Sequence, residues 1–240
     1  VPGVRAGGDA VSRPIVLDLF CAAGGAGRGY HDAGFRVIGC DSADQPRYPY
    51  EWFKGDVFQV FEYLVTCYRP ALIHASPSCR DHTFLTSVAG TDGTKFQLAT
   101  IRKMLQSTGL PYVLENVMGA DMTPDLVLCG EMFGLRTIRH RQFEIGGFTV
   151  TQPRHPAAGE VVAGVRCDRQ GHRRPTATKR RRERWAQGWH VSITGDVGTY
   201  VGPEAMGIDW MTGNELSLAI PPAYTAHIGA AFLATLAVPA

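Results

Sequence analysis

Four short motifs carry side chains able to do chemistry, and each stands where an apolar run of strand character ends. In open α/β sheets ligands bind outside the carboxyl ends of the strands, so these positions are read first. The first motif is Asp18-Leu19-Phe20-Cys21-Ala22-Ala23-Gly24-Gly25-Ala26-Gly27. Its glycines let the backbone approach a ligand, and the helix that follows offers its amino end to a carboxylate. Asp41 closes the next strand, about 20 positions after the glycine turn, where an acidic side chain accepts hydrogen bonds from ribose hydroxyls in nucleotide-type sites. Gly55-Asp56-Val57 follows with a carboxylate suited to an exocyclic amine. Asp41 and Asp56 read equally well as turn-forming aspartates.

Ser76-Pro77-Ser78-Cys79 sets a cysteine in a proline-held turn at a strand end. Free cysteines are mostly buried and inert, but a strand-end loop is where a thiol becomes exposed and activated. Glu115-Asn116-Val117 closes the run Pro111 to Glu115, so its carboxyl follows four apolar or aromatic residues. Burying a carboxylate there costs free energy unless it has a partner or a task, and desolvation favours the protonated form that a proton donor needs.

These side chains need a scaffold of alternating strands and helices, and the chain has that pattern. Ile15 to Phe20 reads as a strand, the glycine turn leads into a helix to Ala33, and Phe35 to Asp41 reads as a second strand. That is a βαβ unit, which implies a parallel sheet. A helix over Phe58 to Cys67, a strand over Ala71 to Ala75, a helix over Lys95 to Thr108, and strands over Pro111 to Glu115, Leu126 to Cys129 and Gln142 to Ile145 continue a doubly wound α/β pattern. From Thr151 to about Gly202 the composition turns to Pro, Gly, His and Arg, which predicts a separate small region. Met211 to Ala237 is globular again, with Pro221-Pro222 before an apolar helix over Ala223 to Leu236 that packs back on the sheet. The expected organisation is a flexible tail (1–13), a main α/β domain (14–150), a small basic region (151–205) and a closing segment (206–240).

The 240 residues, 45% hydrophobic and 19% charged, suit an ordinary globular protein with a substantial core. The net charge is only +2, so attraction to nucleic acid has to come from a local patch. One exists between Arg166 and Arg184, where nine basic residues face Asp168 and Glu183, a local charge of +7. The six cysteines contain no C-x-x-C pair, which points to reduced thiols in a cytosolic protein. Cys167, His172 and His155 match no zinc spacing, so no metal site is expected. No run resembles a signal peptide or reaches membrane-spanning length, and a cytoplasmic, non-membrane protein is expected.

Taken in order, these motifs resemble the DNA cytosine-5 methyltransferase family. The matching residues are DLF-x-x-x-GG-x-x-x-G from Asp18 to Gly29, the proline-cysteine loop from Pro77 to Cys79, the ENV triplet from Glu115 to Val117, and the R-x-R pair Arg139 and Arg141. A weaker match is Ala219-Ile220-Pro221-Pro222 with Ile228-Gly229. Together they cover about 14 to 150 and 211 to 235. The resemblance implies a Rossmann-like, S-adenosylmethionine-dependent methyltransferase fold with a short basic insertion. It implies Cys79 as a nucleophile toward cytosine C6, Glu115 at ring N3 and the exocyclic amine, and Arg141 at O2 with Arg139 in support. Asp18, Phe20, Ala23, Gly24, Gly25, Asp41, Asp56, Val57, Ser76, Leu218 and Ala219 would line the S-adenosylmethionine site. Double-stranded DNA would be the partner of a monomeric enzyme, with the target base flipped out of the helix. Arg80, Arg173, Arg174, Lys179, Arg180, Arg181, Arg182 and Arg184 would contact phosphates, and Trp185, Trp189 and His190 could stack on bases.

The chain departs from the family pattern in places. Pro77-Ser78-Cys79-Arg80 replaces the usual Pro-Pro-Cys-Gln, which sets a cation beside the thiol. Asp41 stands for a glutamate, and Ser217 and Leu218 stand where glycine and asparagine are common. The region after the R-x-R pair is much shorter than the family's target-recognition domain, so a short or degenerate recognition site is expected. Small size is also similar to that of phage-encoded orphan enzymes, acting in a bacterial or phage-infected cell. Three alternatives remain beside this reading: a transfer-RNA methyltransferase of the same fold, a modified donor with a larger group, and a silent nucleic-acid-binding relic.

Overall fold

Short runs of β-branched and aliphatic residues form the centre of the molecule: β1 (Ile15–Leu19), β2 (Arg36–Asp41), β3 (Glu51–Lys54), β4 (Leu72–Ala75), β5 (Tyr112–Val117), β6 (Leu126–Leu128) and β7 (Arg141–Gly146). The computed structural model describes residues 13–77, 93–156, 167–168, 183, 185–188, 190–191, 193 and 201–237. The seven strands lie in one sheet in the order β3-β2-β1-β4-β5-β7-β6. Neighbours from β3 through β5 pair in parallel, whereas β7 runs antiparallel to both β5 and β6.

Three features depart from the sequence expectation. The strand–helix alternation predicts a parallel sheet, but β6 reaches β7 through a 3-10 turn (Gly130–Phe133) and a loop, with no crossover helix. Without a crossover the chain has to reverse, and antiparallel pairing follows. β3 was not expected either, because Glu-Trp-Phe-Lys is too short to show a period. β5 also runs on to Val117, so Glu115 sits inside the ladder opposite Phe143 instead of at the strand end.

The helices are α1 (Gly25–Ala33), α2 (Val57–Tyr68), α3 (Gly93–Ser107), α4 (Gly202–Met206), α5 (Gly213–Leu218) and α6 (Pro222–Leu236). Successive strand residues point to opposite faces of the sheet. Val16 therefore packs with Tyr30, Phe35, Tyr224 and Phe232 of the α1 and α6 side. Leu17 and Leu19 pack with Phe61 and Leu64 of α2 and Ile101 and Leu105 of α3. Covering both faces is what makes near-continuous apolar strands stable.

α1 and α6 approach closely because α1 presents glycine to its partner. A Cβ on Gly29 would lie 2.0 Å from the Pro222 carbonyl oxygen and 2.2 Å from Thr225 Oγ1. Thr225 Oγ1 in turn donates to the Ala26 carbonyl at 2.7 Å. Gly29→Ala should therefore force the helices apart and cost about 1–3 kcal/mol, read as a lower urea midpoint with unchanged m-value.

The closing segment builds a smaller cluster from Ala23, Ile193, Val201, Ala205, Met206, Ile208, Leu216 and Ala219. α4 buries Ala205 and Met206 in that cluster. A capping box between Thr212 and Glu215 starts α5, and Arg47 grips the same glutamate at 2.7 Å. No helix among the described residues is long and apolar enough to cross a membrane.

Candidate active site

The carboxyl ends of β1, β2, β4 and β5 open into a cleft of about 450 Å³. Asp18, Phe20, Ala23, Gly25, Asp41, Ser76, Glu115, Arg141, Leu218 and Ala219 all line it, so the structure brings together ten of the residues singled out from sequence. Their convergence has a simple cause: each lies in or just after the carboxyl-terminal part of a parallel strand, at the start of the antiparallel β7, on the glycine loop and α1 that follow β1, or at the α5–α6 corner, and the sheet order places these side by side.

The glycine loop is the tightest part of the wall. Gly24 has φ +89°, and a Cβ there would meet Tyr48 and Pro49 at 3.0 Å, so it shapes the loop without lining the cleft. Phe20 (φ 58°) and Ala22 (φ 43°) also hold left-handed conformations that cost a non-glycine residue free energy. Asp41 offsets part of that cost by accepting the Ala22 N–H at 3.0 Å and the Ala43 N–H at 2.9 Å. Each carboxylate oxygen keeps a second lone pair for a ligand hydroxyl.

Asp18 is buried at the base of the cleft, and burial, with a further push from the Asp41 charge, raises its carboxyl to about 7 despite a 3.0 Å hydrogen bond donated by Tyr48. Its Oδ1 has no hydrogen-bond partner among the described residues. The folded-state pKa lies above the unfolded one, so the native chain binds more protons between about pH 4 and pH 7. Stability of the ligand-free chain should thus fall as pH rises through that window, by at most about 1.4 kcal/mol per unit from this group, and then level off. Denaturant titrations of wild type and Asp18→Asn across the window check this, the variant losing that slope.

At the other end of the cleft, Arg141 Nε stands 3.1 Å from Glu115 Oε1. The ladder explains the contact: Arg141 faces Val117 across the β5–β7 pair, so it is the diagonal neighbour of Glu115 on the same face. Burial pushes the Glu115 carboxyl up, while Arg141, a hydrogen bond from Ser76 and the charge of Arg139 hold it down. The result is a carboxyl whose proton is held more tightly than an exposed glutamate's, with a guanidinium fixed beside it.

Behind Glu115 lies a chain of buried polar groups that sequence reading missed. Tyr30 Oη is 3.0 Å from His74 Nδ1, and His74 Nε2 is 2.8 Å from Ser76 Oγ, which reaches Glu115. Burial lowers the His74 pKa to about 3, keeping the ring neutral. A histidine inside the apolar strand Leu-Ile-His-Ala was the visible signal. Asn116 was also missed: its Nδ2 donates to the Pro77 carbonyl at 3.3 Å and holds the start of the loop that leads to Cys79.

Three other sequence candidates lie elsewhere. Asp56 caps α2 by accepting the Phe58 N–H at 3.0 Å, which is its turn-forming alternative, and Val57 is buried under the sheet with Phe61. Neither lines the cleft. Arg139 is buried behind the wall and donates to the Ile193 carbonyl at 2.6 Å and the Ser217 carbonyl at 2.7 Å, so it braces the α5 corner beside Leu218. Cys79, Arg80, Arg173, Arg174, Lys179, Arg180, Arg181, Arg182 and Arg184 lie outside the described residues, as does Trp189. Trp185 is tied down instead of presented, its ring under the Arg136 guanidinium at 3.6 Å and its Nε1 donating to Glu204 at 2.8 Å.

The sheet order, the reversed seventh strand and the strand-end cleft define a Rossmann-like fold of the S-adenosylmethionine-dependent methyltransferase type. Among solved structures the chain is similar to the Dnmt2 methyltransferase of S. pombe, with a TM-score of 0.57, 12% identity, 94% of this chain and 100% of that chain covered. A Dnmt2 mutant from Spodoptera frugiperda gives a TM-score of 0.58 at 10% identity, covering 92% of this chain and 99% of its own. The Entamoeba histolytica methyltransferase EhMeth gives 0.55 at 8% identity, covering 94% and 99%. No family model and no curated protein matches the sequence.

Proposed function

We propose that this chain is a cytosine-5 methyltransferase that takes S-adenosylmethionine as donor, acts on DNA and uses Cys79 as its covalent nucleophile. The observation that carries the reading is the Glu115–Arg141 pair at 3.1 Å, set in one cleft with the glycine loop, Asp41 and the Leu218–Ala219 corner. The cleft suits the donor: its volume of about 450 Å³ is in the range of small-molecule sites, Asp41 retains acceptor capacity, and the buried Asp18 Oδ1 still lacks a donor among the described residues. The bound donor would supply an electrophilic methyl group on a sulfonium.

The chain's own groups supply the rest. Carbon 5 of cytosine is a weak nucleophile, and addition of the Cys79 thiolate to carbon 6 makes carbon 5 enamine-like. Negative charge then develops at N3 and O2. Glu115 shares its proton with N3, and Arg141 offers fixed positive charge at O2, so charge is met where it forms. After carbon 5 gains the methyl group, a base removes its proton, the carbon 6–sulfur bond breaks, and Cys79 leaves as thiolate. None of these atoms is reachable in a closed duplex, so the base has to be flipped at a cost of a few kcal/mol. The +7 stretch between Arg166 and Arg184 supports DNA as the partner that offsets this cost through phosphate contacts.

The test is transfer of labelled methyl from S-adenosylmethionine to duplex DNA and to transfer RNA, followed by mass identification of the modified nucleoside. 5-Methyldeoxycytidine from DNA is the expected product. Label found only in RNA would transfer the reading to the RNA-directed alternative.

A further inference from the structure

A second cluster of reactive side chains lies on the far side of β7 from the cleft, and the proposed reaction does not use it. Cys129 follows β6, His140 precedes β7 and His155 comes from the segment after β7, yet the Cys129 sulfur and one ring nitrogen of each histidine all lie within 4.8 Å of one another. The two imidazole Nε2 atoms are 3.2 Å apart. Glu131, in the 3-10 turn, adds a carboxylate: its Oε2 is 3.8 Å from Cys129 Sγ and 3.7 Å from His155 Nε2. Three donors from separate stretches of chain thus converge, at separations suited to ligands around one small cation, with the Glu131 carboxylate beside two of them.

The surroundings of these donors are also those of metal ligands. His155 Nδ1 stands 2.7 Å from the Pro156 carbonyl, so it carries the proton and leaves the Nε2 lone pair facing the cluster. Burial pushes the Cys129 thiol up, and the backbone N–H groups of Glu131 and Arg139 that point at its sulfur offset part of that push. His190 of the small strand β9 (His190–Val191) lies 3.7 Å from the other Glu131 oxygen and can hold that carboxylate in place. A buried thiol beside two stacked imidazoles, ring centroids 5.1 Å apart and interplanar angle 11°, is an unlikely core filling on packing grounds alone.

We propose that Cys129, His140 and His155 bind one divalent transition-metal ion, zinc by their donor set, with the Glu131 carboxylate at the edge of the site. One thiolate and two imidazoles fit zinc's preference for sulfur and nitrogen. Binding displaces the thiol proton of Cys129 to solvent and changes no oxidation state. The ion would clamp β6, β7 and the segment at 151–156 together, with His190 adding the two-stranded β8–β9 unit, in which β8 is Cys167–Asp168. It would also reach the cleft: the His140 carbonyl accepts a 2.8 Å hydrogen bond from Arg141, the residue that grips Glu115. Zinc would therefore steady the placement of the catalytic guanidinium.

The experiment is metal analysis of the purified full chain by mass spectrometry after dialysis, together with cobalt(II) titration of chelator-stripped protein. About one zinc per chain and a thiolate-to-cobalt charge-transfer band are expected. The Cys129→Ser/His155→Ala double variant should lose at least about ten-fold in metal content, while Cys67→Ser, at an exposed cysteine, keeps it. Should the double variant fail to fold, the cobalt titration of stripped wild type still decides the matter. Absence of both bound zinc and the cobalt band in wild type overturns the proposal, as does full zinc retention in a folded double variant. Neither readout depends on methyl transfer, so this site and the proposed activity stand or fall separately.

Discussion

A Cys79→Ser variant is expected to lose at least about 10⁴-fold in kcat for methyl transfer, with donor binding within a few-fold of wild type. The reason is chemical. A serine hydroxyl is almost wholly un-ionised near neutral pH and adds to carbon 6 far more slowly than a thiolate, whereas the glycine loop, Asp41 and the Leu218–Ala219 corner that would hold the donor are untouched. Single-turnover rates with duplex DNA, paired with calorimetric donor affinity, separate the two effects. A variant that kept a tenth of wild-type kcat would remove the covalent step from the mechanism.

The second large effect is expected at Glu115. Glu115→Gln keeps the shape and a donor group but removes the proton that can be shared with N3, so kcat should fall by about 10²–10⁴-fold. The pH dependence should change with it. Burial raises the Glu115 carboxyl, and a group that acts in its protonated form gives a rate that declines as pH rises through its pKa. That alkaline decline should shrink in the variant. Arg141 and Ser76 both hold the carboxyl down, so the descending limb should appear at higher pH in Ser76→Ala than in wild type, a result that only a charge-dependent role for Glu115 would produce.

What the sequence conveyed about these sites follows a physical division. Features written into a local stretch were legible: the Asp18 to Gly29 loop, the acidic end of β2, and a carboxyl following an apolar run all show in a few consecutive residues. Strand-end position then gathered those among them that lie on β1, β2, β4 and β5 into one cleft, because parallel strands in one sheet bring their carboxyl ends together. Features that depend on register or on contacts between separate elements were not legible. The antiparallel run of β7 decides that Arg141 meets Glu115, and nothing in Arg139-His140-Arg141 announces it. Asp56 had two readings of equal merit, and only the Phe58 N–H shows that it caps a helix. The His155 cluster was missed for the same reason. Its partners Cys129 and His140 are assembled by the β6–β7 reversal, whereas the sequence drew attention to Cys167 and His172.

The chain of buried groups from Tyr30 through His74 to Ser76 shows how a structural feature can bear on chemistry without touching a substrate. His74 is held neutral by burial, accepts or donates at both nitrogens and passes its orientation to Ser76, which bonds Glu115. In the proposed reaction it would keep the carboxyl aimed into the cleft while Arg141 approaches from the neighbouring strand.

The covalent step itself is open to direct capture. Duplex DNA carrying 5-fluorodeoxycytidine, incubated with the chain and S-adenosylmethionine, should yield a denaturation-resistant protein–DNA adduct, because fluorine on carbon 5 cannot leave as a proton does and the carbon 6–sulfur bond persists. Peptide mass spectrometry should place the adduct on Cys79, and Cys79→Ser should give none. Methylated cytosine produced by wild type with no trapped adduct, or an adduct mapped to another residue, would contradict the account.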